Sequence, residues 1–174
     1  MSGSGDFLAA LDTLESMLSE CATFQTEAGA VDASAAKGFI FWPGQKPYTE
    51  VATKGRKRKQ VWPNVWALLM LGQGAGLDLS AGPGGGCIFP VVPLQFFLQR
   101  STPAAEAEDP KLETRNFLKW VGLVLRELAI LGNSEGNLFI SQLTIDNPRK
   151  NDEAELYHYM EITVSVERMN GGGA

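Results

Sequence analysis

Histidine is almost missing from this 174-residue chain, where His158 stands alone. Metal centres built on several imidazoles, Ser–His–acid triads and Cys–His pairs would all have to recruit that one residue. Cysteine is nearly as scarce. Cys21 and Cys87 lie far apart, in no CxxC or zinc-like spacing, and read as buried thiols of a reducing compartment, with a disulfide between them left open. The opening residues, MSGSGDFLAALDTLES, carry acids where a secretory leader would carry basic residues and a long apolar run. The most apolar stretch, FLKWVGLVLRELAIL at 117–131, is interrupted by Lys119, Arg126 and Glu127 and is too short to span a bilayer. Basic residues are outnumbered, 15 against 20 acidic ones, giving a net charge of −5. That argues against a protein dedicated to coating DNA or membranes, while leaving room for a local basic patch.

The recognisable chemical motifs are missing as well. The sequence has no GxSxG elbow, no GxxxxGK followed by Ser or Thr, and no helix-turn-helix, zinc-finger or RNA-binding aromatic signature. Gly74-Ala75-Gly76 lies between two expected strands, whereas a dinucleotide fingerprint needs a strand followed by a helix. No residue stands out as catalytic, cofactor-binding or metal-ligating, and the sequence leans away from an enzyme.

What is present is a globular balance, 44% hydrophobic and 20% charged, in a chain of ordinary single-domain length. Asp6 is placed to cap a helix over about 6–21, with Phe7, Leu11, Leu14 and Leu18 at steps of three and four. A loop through Gly29 leads to a short strand, Phe39 to Trp42, stopped by Pro43 and Gly44. Residues 43–60 read as a flexible polar loop. Val61 to Leu71 and Ile88 to Leu98 read as two strands of a long hairpin with a Gly-rich tip at 72–86, and Pro90 and Pro93 assign part of the second to an edge or bulge. Asp109 and Pro110 open a helix expected over 110–131, closed by Gly132 and apolar enough in its second half to be sandwiched, either by the sheet and the N-terminal helix or by a second subunit. Leu138 to Ile145 is a fourth strand. The fifth alternates cleanly, with Leu156, His158, Met160, Ile162, Val164 and Val166 on one face and Tyr157, Tyr159, Glu161 and Thr163 on the other. On that apolar face His158 reads as structural. The tail, 170–174, is Gly-rich and expected to be disordered. The fold class is α+β: a mainly antiparallel sheet with a long hairpin, packed by the N-terminal helix and the long central helix.

Two features point to interaction surfaces. Lys54, Arg56, Lys57, Arg58 and Lys59 hold a third of all the basic residues, and the rest of the chain carries 10 basic against 20 acidic residues. Such a run is either a solvated loop or a contact with nucleic acid or an acidic neighbour. The aromatics are the second. Trp66, Phe97, Tyr157 and Tyr159 fall on strand positions opposite to the core-facing set and are candidates for a subunit interface, with core packing as the alternative for the tryptophan and phenylalanine.

The order of elements, with "CATFQTEAGA" then "ASAAKGFIFW" after the first helix, a central hairpin, one long helix, and the ending "LFISQLTIDNPRKNDEAELYHYMEITVSVER", resembles tail terminator and related minor tail proteins of tailed bacteriophages. The resemblance implies a non-enzymatic virion subunit, present in the host cytoplasm during assembly and free of cofactors and membranes. It implies a homo-oligomeric ring, a hexamer, that ends the tail tube and joins it to neck or connector proteins, with DNA passing through the lumen. In that setting the basic loop would grip an adjacent ring and acidic lumen surfaces would let DNA slide. The alternatives are a head–tail adaptor or stopper, a nucleic-acid-binding module using residues 54–59 with Trp62 and Trp66 as stacking platforms, and a small enzyme with an acidic site.

Overall fold

A computed structural model describes residues 4–53, 58–72, 91–101, 109–134, 138–145, 149–150 and 157–168. The Gly-rich tip beyond Gly72, Cys87, the stretch 151–156 and the tail 170–174 lie outside the described residues, as do the side chains of Tyr157, His158 and Tyr159.

The first helix, α1 (Ser4–Glu20), buries Ala10, Leu11, Leu14, Met17 and Leu18, the stripe its spacing announces. Where the sequence predicts a loop through Gly29, two further helices form: α2 (Ala22–Ala28) and α3 (Ala33–Ala36). Seven residues are too few to display a helical period or to hold a helix by themselves, so tertiary contacts make α2. Phe24 is fully buried, and the carboxylate of Glu127 accepts hydrogen bonds from the Thr23 N–H (3.1 Å) and the Thr23 hydroxyl at the start of the helix. That carboxylate replaces a local cap, because the Cys21 thiol instead donates to the Met17 carbonyl at 3.3 Å. Gly29, at φ +69°, closes α2 in the left-handed conformation that glycine reaches without a Cβ clash. Asp32 caps α3 by accepting from the Ala35 N–H at 2.8 Å.

A 3-10 turn (Lys37–Phe39) delivers the chain to β1 (Ile40–Phe41). This strand stops where expected. Pro43 and Gly44 (φ +85°) occupy the central positions of a turn in which the Gln45 N–H donates to the Trp42 carbonyl at 3.0 Å. The segment read as a loop at 43–60 then forms a two-stranded antiparallel ribbon, β2 (Thr49–Ala52) with β3 (Arg58–Val61). Trp62 and Pro63 separate that ribbon from β4 (Val65–Leu71), so the single strand expected over 61–71 is two. Proline has no amide donor, and this one ends the run.

The main sheet runs in the order β1, β4, β5 (Val91–Ser101), β8 (Tyr157–Arg168), β6 (Leu138–Ile145), with β7 (Arg149–Lys150) also pairing with β8. The hairpin of β4 with β5 is antiparallel as expected, from Val65↔Arg100 to Leu71↔Leu94. β1 joins β4 in parallel, and every other pairing in the described sheet is antiparallel. β5 is not an edge strand: β4 lies on one side and β8 on the other. Pro93 sits one residue beyond the last β4–β5 pair, so it costs no ladder bond on the β4 side, and on the other side it stands opposite Ser165 of β8, while Pro90 lies outside the described residues.

The long helix α4 (Pro110–Ser134) starts on its expected cap, with Asp109 Oδ1 accepting from the Lys111 and Leu112 N–H groups at 2.9 and 3.2 Å. It does not stop at Gly132, which is buried and stays helical. Phe117, Trp120, Val121, Val124 and Leu128 meet α1, α2 and the sheet residues Val65, Ala67, Leu69, Leu94, Phe96, Leu98 and Ile162 in one core. The helices therefore form a layer on one face of the sheet: an α+β fold. The sheet and α1 cover one side of α4, and on its other side Leu112, Leu118, Leu123 and Ile130 are exposed.

Candidate interaction surface at the basic ribbon

All eight strand residues of the ribbon are exposed, including the apolar Val51 at 49% and Val61 at 45%. Of the five basic residues singled out in the sequence, Arg58 and Lys59 are described, both exposed on β3. Lys54, Arg56 and Lys57 lie in the connection outside the described residues. The charge is not uniform: the Arg58 guanidinium is 2.9 Å from the Glu50 carboxylate across the ribbon. An ion pair this exposed contributes little to stability.

The base of the ribbon is aromatic. Trp62 tilts against Tyr48 with ring centroids 4.9 Å apart and against Trp66 at 5.9 Å, and Trp66 meets Phe41 edge-on at 6.4 Å. The Lys46 ammonium stands 5.7 Å from the centre of the Tyr48 ring, within cation–π range. Phe39, Phe41, Lys46, Tyr48, Val61 and Trp62 line a cleft of about 330 Å³. Pro43 and Pro47 lie between β1 and the ribbon and Pro63 between the ribbon and β4, a signal the sequence carries as turn punctuation and not as a contact.

The four interface candidates separate here. Strand register puts Trp66 opposite Gln99 and Leu68 opposite Phe97, so Trp66 and Phe97 share the sheet face that no helix covers, as their parity predicts. Gln99 and Ser101 pair with Tyr159 and Tyr157, which places those two positions on the same face. Phe97 is half-buried. Trp66, however, is only 7% exposed, because Phe41 and Trp62 cover it within its own subunit. Trp66 is thus core-like, and this also removes it as a stacking platform, leaving Trp62.

A second concavity, about 430 Å³, lies between α2 and α4, where Glu27 holds Arg100 at 2.7 Å beside Lys119 and Leu123. Cys21, fully buried, has its thiol pushed up to about 12, first by burial and then by the nearby Glu127 and Glu20 carboxylates. That is the opposite of what a reactive cysteine needs. Among the described residues no group of three or more His, Cys, Asp and Glu side chains could hold a metal ion, and no helix is long and apolar enough to cross a membrane. No protein-family model matches the chain, and no curated protein matches it.

Proposed function

We propose that this chain is a structural, non-enzymatic subunit of a tailed-phage virion that assembles with copies of itself into a ring, a hexamer, at the tail–neck junction. The ring ends the tail tube and joins it to connector proteins, and DNA passes through its lumen. The observation that carries this reading is the exposed ribbon. Two strands standing clear of the main sheet are marginal in water, and Val51 and Val61 on them stay about half exposed. A ribbon of this kind gains its stability from a neighbour, and its basic residues select an acidic one. Phe97 on the uncovered sheet face adds a second site for contact.

The test is the mass of the purified protein in solution across concentration and salt, with electron microscopy of the particles. Closed rings are expected. A monomer at every concentration, including low salt, overturns the ring. One observation favours a second reading: Trp62, Tyr48 and Lys46 beside Arg58 and Lys59 suit the bases and phosphates of single-stranded nucleic acid. Steeply salt-dependent binding of short oligonucleotides by such a monomer would establish it.

A further inference from the structure

The charges of this subunit are segregated between two helices. The first 36 residues carry six acids, Asp6, Asp12, Glu15, Glu20, Glu27 and Asp32, and no lysine or arginine. On α1 the exposed ridge is Leu8, Asp12 and Glu20, with half-buried Glu15 at its flank. On α4 the situation is reversed. Lys111, Arg115, Lys119 and Arg126 are all exposed, while both acids of that helix turn inward: Glu113 is 3% exposed and Glu127 is tied to Thr23. Leu118 and Leu123, each 42% exposed, flank the basic residues, and Ile130, at 60%, lies one turn beyond Arg126.

These two ridges belong to opposite flanks of the helix layer. α1 packs over β1, β4 and β5, towards one end of the sheet order, and α4 packs over β6, at the other end. We infer that the occupant of the basic, apolar ridge of α4 is a second copy of this chain, presenting the acidic ridge of its α1. The contact is heterologous, using two different patches of one subunit, so each copy keeps one ridge free for the next. Leu118, Leu123 and Ile130 supply apolar area to bury against Leu8, and Gly122 and Ala129 on the same ridge leave its midline low enough for close approach. The opposed charges fix the register and reject an α4–α4 or α1–α1 pairing, since like charges facing each other disfavour the wrong partner. This inference rests on the assembly reading above and names the surfaces it would use.

Charge exchange between two variants tests it. K111E/R115E/R126E leaves Lys119 as the one basic residue of the α4 ridge and makes both ridges acidic, and D12K/E20K makes both basic. All five positions are exposed, so each variant is expected to fold like the wild type, checked by circular dichroism and thermal melting. Each variant alone should remain monomeric in analytical ultracentrifugation at concentrations where the wild type associates. An equimolar mixture should recover association, because the acidic α4 of one meets the basic α1 of the other, and a single chain carrying all five substitutions should recover it alone. Salt should weaken wild-type association, as expected for partly exposed charge pairs. Association as strong as the wild type's in either charge-reversed variant, or a mixture that stays monomeric, overturns the α1–α4 contact while leaving a ring built on other surfaces standing. Recovery by exchange with open filaments as the product keeps the contact and overturns the closed ring. A wild type that never associates overturns both.

Discussion

Replacing Phe24 by alanine measures how much the helix layer owes to α2, the helix that local sequence does not announce. The ring of Phe24 is fully buried among α1, α4 and β4 residues. Truncating such a side chain removes its transfer free energy and leaves a cavity, together about 3–5 kcal/mol. A domain's whole stability is about 5–15 kcal/mol, so the variant stays folded unless the protein lies near the bottom of that range. For a chain of this length each kcal/mol moves the midpoint by roughly 2–4 °C, and the melting temperature should fall by about 6–20 °C. Urea denaturation followed by far-ultraviolet circular dichroism, with an unchanged slope and a lower midpoint, is the assay. Two controls calibrate it. Phe24→Leu should cost well under half as much, and Leu118→Ala, on the exposed side of α4, should stay within about 0.5 kcal/mol. A Phe24→Ala variant no less stable than Leu118→Ala would refute the claim that α2 is held by its core contact.

Cys21 should resist thiol reagents in the native state: at pH 8 a thiol ionising near 12 is about a thousandfold less thiolate than one ionising at 9, which is read as the labelling rate of a C87S variant relative to the same variant in urea. The same shift sets a pH dependence. The unfolded thiol loses its proton near 9 and the folded one near 12, so the folded state binds the extra proton between them. The stabilisation is present in full below pH 9 and is lost as pH rises towards 12, a loss that C21A should lack. Asp109→Ala removes the side chain that accepts from Lys111 and Leu112, and should cost about 1 kcal/mol in thermal unfolding, with Asp109→Asn recovering most of it.

What was legible in the sequence was whatever repeats with a period or carries a cap. The stripe Leu11, Leu14 and Leu18 and the pairing of Asp109 with Pro110 define α1 and α4 before any contact is known, and the alternation around Ile162 defines β8. The parts that were not legible depend on distant partners. α2 is capped by Glu127, more than a hundred residues away, and the ribbon at 49–61 is too polar and too exposed to show a core-facing period. Gly132 illustrates the converse: a strong local stop signal that the helix passes through because packing against the rest of the fold continues to its last turn. The basic cluster was visible as charge, but its attachment to an aromatic row was not, since Tyr48, Trp62 and Phe41 meet only across the proline-marked turns between them. Trp66 was assigned to its correct face, and only its neighbours show that the face is already covered there.

The placement of β5 between β4 and β8 also bears on how the chain is made. β4 and β5 can pair as soon as both are synthesised, but the other edge of β5 waits for β8, which follows α4 and the β6 strand. During translation, therefore, an eleven-residue strand containing Leu94, Phe96 and Leu98 is complete while one whole side of its hydrogen-bonding groups lacks its native partner. An open apolar edge is a template for wrong pairing, and contacts between residues this far apart form slowly. The nascent chain is consequently most prone to aggregation in the interval between β5 and β8, and α4, which forms locally within that interval, is the element in position to shield the apolar face until the last strand arrives.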